Sequence, residues 1–178
     1  KTYRCIDRKI LKTKQQFSEV FMLNKKVASL LNEQITKEFY SAYSYLHFAN
    51  FYESNGLLGF ASWFKIQSKE ELDHGMLIYQ YLQDNGETVI FGNITTPEIN
   101  FENFMEPLKE SLNQEEVVTD SINKIYNEAE SLKDYRTMQF LDWFIEEQGE
   151  EESSAQTLIS KMELFGSDPK SLYMLNQE

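Results

Sequence analysis

The stretch Glu70-Glu71-Leu72-Asp73-His74 constrains this chain most, because it sets a Glu-x-x-His pair on the apolar stripe of a long helical segment. Residues three apart share one face of a helix, so the Glu71 carboxylate and the His74 imidazole can reach a common point. Heptad steps through the segment give Phe60, Phe64, Gln67, Glu71, His74, Ile78 and Tyr81. Both ionisable groups therefore stand where core residues belong. A bare carboxylate in such a place is costly unless its charge is compensated. A bound cation is the simplest compensation, and one helix cannot complete its ligand set.

The remaining chain supplies further helices. Only seven Gly and three Pro punctuate 178 residues, which favours long uninterrupted helices over many short strands. From Asn24 to about Glu53 the inward stripe reads Ala28, Leu31, Ile35, Glu38, Ala42, Tyr45, Ala49 and Tyr52. Ser54-Asn55-Gly56 breaks it with turn residues. The second helix runs from about Leu58 to Gln83 and is closed by Asp84-Asn85-Gly86. About twenty residues without helical period follow, containing Val89-Ile90-Phe91 and the breaker Pro97. Helix three starts near Pro107, with the stripe Leu108, Leu112, Glu115, Thr119, Ile122, Tyr126 and Ala129. After a turn at Lys133-Asp134, helix four carries Leu141, Phe144, Gln148, Glu151, Ala155, Leu158, Met162 and Phe165. Gly166 and Pro169 stop it, and Ser171 to Glu178 are expected to form one or two helical turns.

Helices of this length span about 40 Å at 1.5 Å per residue. The two short connections make antiparallel hairpins, and the long one lets helix three run parallel to helix two. The expected fold is all-α: a four-helix bundle with one long crossover between helices two and three, plus a short C-terminal helix.

Composition narrows the function. Thirteen Phe and ten Tyr argue for a packed core despite the acidic balance. A lone cysteine, Cys5, leaves no internal disulfide and no multi-cysteine metal site. No apolar run approaches the roughly 20 residues that cross a bilayer. The formal charge is −12, yet residues 1–21 carry six basic and two acidic side chains. We read 1–21 as an N-terminal extension without a secretory signal, and 22–178, starting at Met22, as the bundle domain. An acidic body of this kind repels nucleic-acid phosphates and anionic membrane lipids and attracts cations.

Every stripe is interrupted near its middle by polar groups: Glu38, then Glu71 and His74, then Glu115, then Gln148 and Glu151. In an antiparallel bundle such positions meet at one level. Oxygen-rich ligands with one imidazole suit two hard or borderline cations, and Glu71 is placed to bridge them. Taken singly, these residues have blander readings. Glu147, Glu150 and Glu152 fit a solvated run, His74 a hydrogen-bonded core histidine, and Tyr45 a core aromatic. The joint pattern is what carries the metal reading, because the acids recur on all four stripes with almost no Lys or Arg to offset them.

Over residues 22–176 the chain resembles the non-haem ferritins, especially the bacterial type. The matching segments are Leu31-Asn32-Glu33-Gln34 with Glu38-Phe39-Tyr40-Ser41, Glu70 to His74, and Glu115-Glu116-Val117-Val118-Thr119. Phe140-Leu141-Asp142-Trp143-Phe144 and Glu146 to Glu152 complete the set. The resemblance implies a ferritin-like di-iron bundle in which Glu38, Glu71 and His74 form a first iron site. Glu71, Glu115 and Glu151 would form a second, with Gln148 close by. Glu70, Glu147, Glu150 and Glu151 match an auxiliary third site, and Tyr45 matches a tyrosine beside the centre that can supply an electron. Helix four has Glu147-Gln148-Gly149-Glu150 where many relatives carry a second Glu-x-x-His, which disfavours bacterioferritin. Leu72 stands where bacterioferritin has its haem-ligating Met, so no haem is expected.

The expected function is iron storage and detoxification. The centre would act as a ferroxidase, oxidising Fe(II) with O2 or H2O2, two irons per centre with a possible third, inside a cytoplasmic homo-oligomeric shell of 24 subunits. A di-iron oxygenase or peroxide reductase without storage would use the same ligands. A helical interaction module, with polar core residues that only fix helix register, is the non-enzymatic alternative.

Overall fold

A computed structural model of the chain describes residues 23–97 and 100–178, so the expectation for 1–21 lies outside the described residues. Helix α1 spans Lys25–Ser54 and starts where the Asn24 side chain accepts from the Lys26 N–H at 2.8 Å. It stops at Ser54-Asn55-Gly56, where Gly56 takes φ +76°, a conformation that favours glycine. Helix α2 spans Leu58–Asp84, and Gly86 repeats the same φ after it. Helix α3, Glu106–Ser131, carries Pro107 in its first turn, where a missing N–H costs nothing. Helix α4, Tyr135–Phe165, is capped by Asp134, and the short α5, Pro169–Leu175, by Asp168.

α1 packs on α2, α3 on α4, α1 on α3, and α5 on α4. This is the expected bundle. The crossover between α2 and α3 is held along α1 by specific contacts. Lys25 pairs with Glu87 at 2.8 Å, Ile90 N–H donates to Asn32 at 2.6 Å, and Gly92 N–H to Thr36 at 3.1 Å. The Phe91 ring lies against Phe39 and Tyr79. The C-terminal end turns back onto α2, where buried Asn176 accepts from the Gly59 and Phe60 N–H groups at 2.8 and 3.3 Å. These are orphan donors of a helix start whose own N-cap position, Leu57, has no side chain able to accept.

The apolar core divides in two. One cluster gathers Leu31, Ile35, Ile78, Leu82, Ile122 and Phe144, and the other Tyr45, Phe48, Tyr52, Phe60, Phe64 and Leu108. Full burial of each such side chain contributes roughly 1.5–3 kcal/mol. Between the two clusters, α1 to α4 bring their polar mid-helix residues to one level. Apolar packing above and below thus stabilises the bundle and leaves that level free to hold charge.

Four sequence expectations need correction. On α3 the fully buried face includes Ser111, Gln114, Val118, Ser121 and Ile125, while Leu112, Thr119 and Tyr126 are half-buried. That face is turned toward α1, which the stripe did not anticipate. On α4, Ile159 is buried where Leu158 was expected. Phe165, at the last residue of α4, is 47% exposed. The last helix starts at Pro169, ahead of Ser171, because Asp168 accepts from the Ser171 N–H and opens the turn there.

Candidate metal centre

Glu38, Glu71 and His74 meet at the middle of the bundle, all three buried, each offering a ligand atom within 4.8 Å of the others. Their position follows from the stripe spacing: Glu71 and His74 are one turn apart on α2, and Glu38 faces them from α1. His74 Nδ1 lies 3.9 Å from Glu71 Oε2, and the ring is fixed edge-on against Trp143 and Phe144 of α4. Glu38 Oε1 accepts from Gln34 at 2.9 Å, whereas its Oε2 is fully buried with no donor beyond the acid cluster itself, where the Glu71 carboxyl lies in hydrogen-bond contact with Glu38. An unpartnered buried carboxylate oxygen costs about 1–3 kcal/mol or more. Donation from that oxygen to a cation would offset the cost.

A second group lies one turn further along α4. His74, half-buried Glu147 and buried Glu151 bring ligand atoms within the same 4.8 Å. Glu151 Oε2 accepts from Gln67 at 2.6 Å. Glu115 lies beside these acids but is held differently, with Tyr45 donating to its Oε1 and Gln148 to its Oε2, the latter at 3.2 Å. The expected Glu71–Glu115–Glu151 set is therefore not gathered at ligand distance. Its members still feel each other, since Glu115 and Glu151 both act on Glu71. Glu70 is half-buried and Glu150 exposed; neither joins a ligand group, although the Glu70 and Glu147 charges act on Glu151.

The electrostatics are those of a crowded, dehydrated acid cluster. Burial is the main cause in every case. It pushes Glu38 up to about 7 and Glu151 up to about 8, and it raises Glu71 and Glu115 as well. Neighbouring carboxylates add to the rise on Glu71 and Glu151. Burial drives His74 the other way, down to about 4, so the imidazole is neutral near pH 7 and has a lone pair to give. Tyr45 is raised well above its ordinary range and stays a donor. Near-neutral acids that lose their protons once a cation arrives, next to a neutral imidazole, are a donor set that fits divalent iron.

Two residues without a role in the sequence reading support the centre. Gln34 and Gln67 each sit four residues before an acid of the centre, and each donates into the cluster. For Gln67 the signal was a glutamine on an otherwise apolar stripe, whereas Gln34 lies beside the stripe of α1. A third contact, Thr119 donating to Glu152 at 2.5 Å, joins α3 to α4 beside Gln148.

The family described as Ferritin-like domain matches residues 28–165. The chain belongs to the ferritin family. The bacterial non-heme ferritin of Staphylococcus saprophyticus is 40% identical over 157 residues, which cover 88% of this chain and 94% of that protein. The corresponding protein of Staphylococcus aureus strain USA300 is 38% identical, covering 88% and 95%. Among solved structures, the open pore ferritin from the archaeon Archaeoglobus fulgidus and its engineered closed form each match at 34% identity. Both have a TM-score of 0.85 and cover 87% of this chain and 94% of theirs. The bundle that holds Glu38, Glu71 and His74 is thus a ferritin bundle. No described helix is long and apolar enough to cross a membrane.

Proposed function

We propose that this ferritin stores iron and oxidises it at the bundle centre. The observation that carries the reading is the buried Glu38–Glu71–His74 group, with Glu38 Oε2 lacking any donor beyond the acid cluster in a dry core. Ferrous ions are the substrate. Glu38, Glu71 and His74 would hold one, and Glu71 would bridge it to a second held with Glu151, near Glu115 and Gln148. The His74–Glu147–Glu151 grouping supports a position for iron on the α4 side, where Glu70 and Glu150 extend the acidic approach.

Two ferrous ions give up one electron each. Dioxygen accepting two electrons and two protons leaves as hydrogen peroxide, and peroxide accepting two of each leaves as two waters. Carboxylates favour the ferric product because they offset its higher charge. Tyr45 holds its proton against Glu115 and stands as a local electron source. We further propose a hollow cytoplasmic shell of 24 copies.

The test is an anaerobic ferrous titration followed by admission of oxygen. Wild-type protein is expected to saturate at two to three irons per chain and then produce ferric absorbance rapidly. Glu71→Gln with His74→Ala should lose both steps while remaining folded. Equal binding and oxidation by the variant would remove the centre from the reaction.

A further inference from the structure

The face between α1 and α3 is built unlike the rest of the core. Its heptad positions are Gln34, Lys37, Ser41 and Ser44 on α1, and Ser111, Gln114, Val118 and Ser121 on α3. Hydrogen bonds fix the antiparallel register: Tyr52 to the Phe104 carbonyl, Tyr45 to Glu115, and Lys37 to Ser121. That register sets Ser44 level with Gln114 and Ser41 level with Val118. All but Val118 are polar, and all but Lys37 are buried.

Lys37, Ser111 and Ser121 are hydrogen-bonded and Gln34 donates to Glu38, but at the level of Ser44 and Gln114 the polarity has no protein partner. Ser44 is fully buried and its Oγ is unpartnered. Gln114, 7% exposed, leaves both its Nε2 and its Oε1 without a hydrogen bond. Buried polar groups are nearly always paired, through ordered water where the protein offers nothing. Two donor groups and two acceptors left open at one level, the Ser44 hydroxyl serving as both, describe a site for a small neutral molecule that both gives and takes hydrogen bonds. A cation does not fit. The seam holds hydroxyls and amides without a carboxylate, and the Lys37 ammonium stands along it.

Ser44 and Gln114 are the chain neighbours of Tyr45 and Glu115, whose phenol–carboxylate bond borders the metal centre. We propose that the α1–α3 seam is a hydrated passage that admits water and hydrogen peroxide to the Tyr45–Glu115 pair, separate from the acidic α2–α4 approach of ferrous ions. The peroxide role rests on the ferroxidase reading. Peroxide has two O–H donors and two acceptor oxygens, so it uses the same groups as water. On accepting two electrons from two ferrous ions, together with two protons, it becomes two waters that leave along the same seam.

The experiment pairs crystallography with stopped-flow kinetics on the full chain. A high-resolution structure of the wild type is expected to show ordered water within hydrogen-bond reach of Ser44 Oγ and the Gln114 amide. In the double variant Ser44→Ala with Gln114→Leu, anaerobic ferrous oxidation by hydrogen peroxide should slow about fivefold to tenfold, the effect of one or two lost hydrogen bonds along the path. Oxidation by dioxygen should change less than twofold, and thermal stability should hold or rise because unpaired buried groups are gone. A dry seam, equal loss with both oxidants, or no loss with either overturns the passage. If the wild type oxidises no iron with either oxidant, the ferroxidase reading fails by itself, and the water positions still decide whether the seam is hydrated. The single variant Ser44→Ala, one atom smaller, keeps the comparison open should the double variant fold poorly.

Discussion

His74 Nδ1 and Glu71 Oε2 stand 3.9 Å apart, one helical turn from each other, with no hydrogen bond between them. Ligands about 2.1 Å from a shared ion are about 3–4 Å apart for angles between 90° and 130° at the metal. The spacing is that of two groups waiting on a third body. Replacing Glu71 with Gln keeps the shape and removes the charge. Ferrous oxidation is expected to fall at least about 100-fold, while the metal-free variant melts at the same temperature or higher, because a buried acid is gone. Stopped-flow absorbance and calorimetry read the two effects, and a fall in metal-free stability with normal oxidation would assign Glu71 a purely structural role.

The acid cluster makes stability without metal depend on pH in a defined direction. Glu38 and Glu151, at about 7 and about 8 in the folded chain, bind protons there more tightly than an ordinary carboxyl. Their contribution is complete below the ordinary carboxyl range and is lost as pH rises through 7 and 8. His74 has the opposite sign. At about 4 when folded, its contribution is complete above 6.5 and is lost as pH falls toward 4. Above pH 6.5 the raised carboxyls outweigh the remaining change on His74, so chelated protein should lose roughly 5 °C in Tm between pH 6.5 and 8.5. Saturating zinc, a redox-silent probe, should flatten the profile. A Tm that rises over this interval without metal contradicts the buried acids.

Tyr45 separates a chemical role from a packing role. Phenylalanine keeps the contacts with Phe48 and Phe64, at 5.6 and 5.7 Å between ring centres, but removes the donor to Glu115. Tyr45→Phe is expected to bind the first ferrous ions normally and to oxidise them about tenfold more slowly, equivalent to about 1.4 kcal/mol on the barrier. Unchanged oxidation kinetics would leave Tyr45 a core aromatic and nothing more.

At the far end of the bundle, Asn176 substitutes for the missing cap of α2. Asn176→Ala should cost about 1 kcal/mol, as loss of an N-cap does. Gly59→Ala should cost more, since the added Cβ would lie 1.8 Å from the Asn176 carbonyl oxygen and displace the C-terminal segment. Limited proteolysis with mass spectrometry would reveal release of that segment. A Gly59→Ala protein as stable and protease-resistant as wild type would argue that the contact is dispensable.

The parts of the fold legible in the sequence are those where one residue type has one physical job. Gly56 and Gly86 mark helix ends because they take a positive φ, and Pro107 marks a start because it lacks an N–H. Glu38, Glu71, His74 and Glu151 were legible as acids and an imidazole on apolar stripes. Which of them share a ligand group was not. Glu115 has the right spacing, yet Tyr45 and Gln148 take up its oxygens, and Glu147 comes within ligand reach of His74 instead. Such partnerships depend on the rotation of α3 and α4 about their axes, which periodicity leaves free by a residue or so. The α1–α3 seam was illegible for a related reason. Ser41, Ser44, Ser111 and Ser121 lie off the apolar stripes, and nothing in the sequence marks them as buried until a second polar helix is laid against them.

Aerobic iron loading followed by size separation tests the central claim most directly. Wild-type protein should elute as a particle of about half a megadalton, the mass of 24 chains of 21.0 kDa, and retain far more iron than the two or three ions each centre can hold. A smaller assembly, or one that keeps only about two irons per chain after repeated loading, would contradict storage and leave a catalytic di-iron bundle in its place.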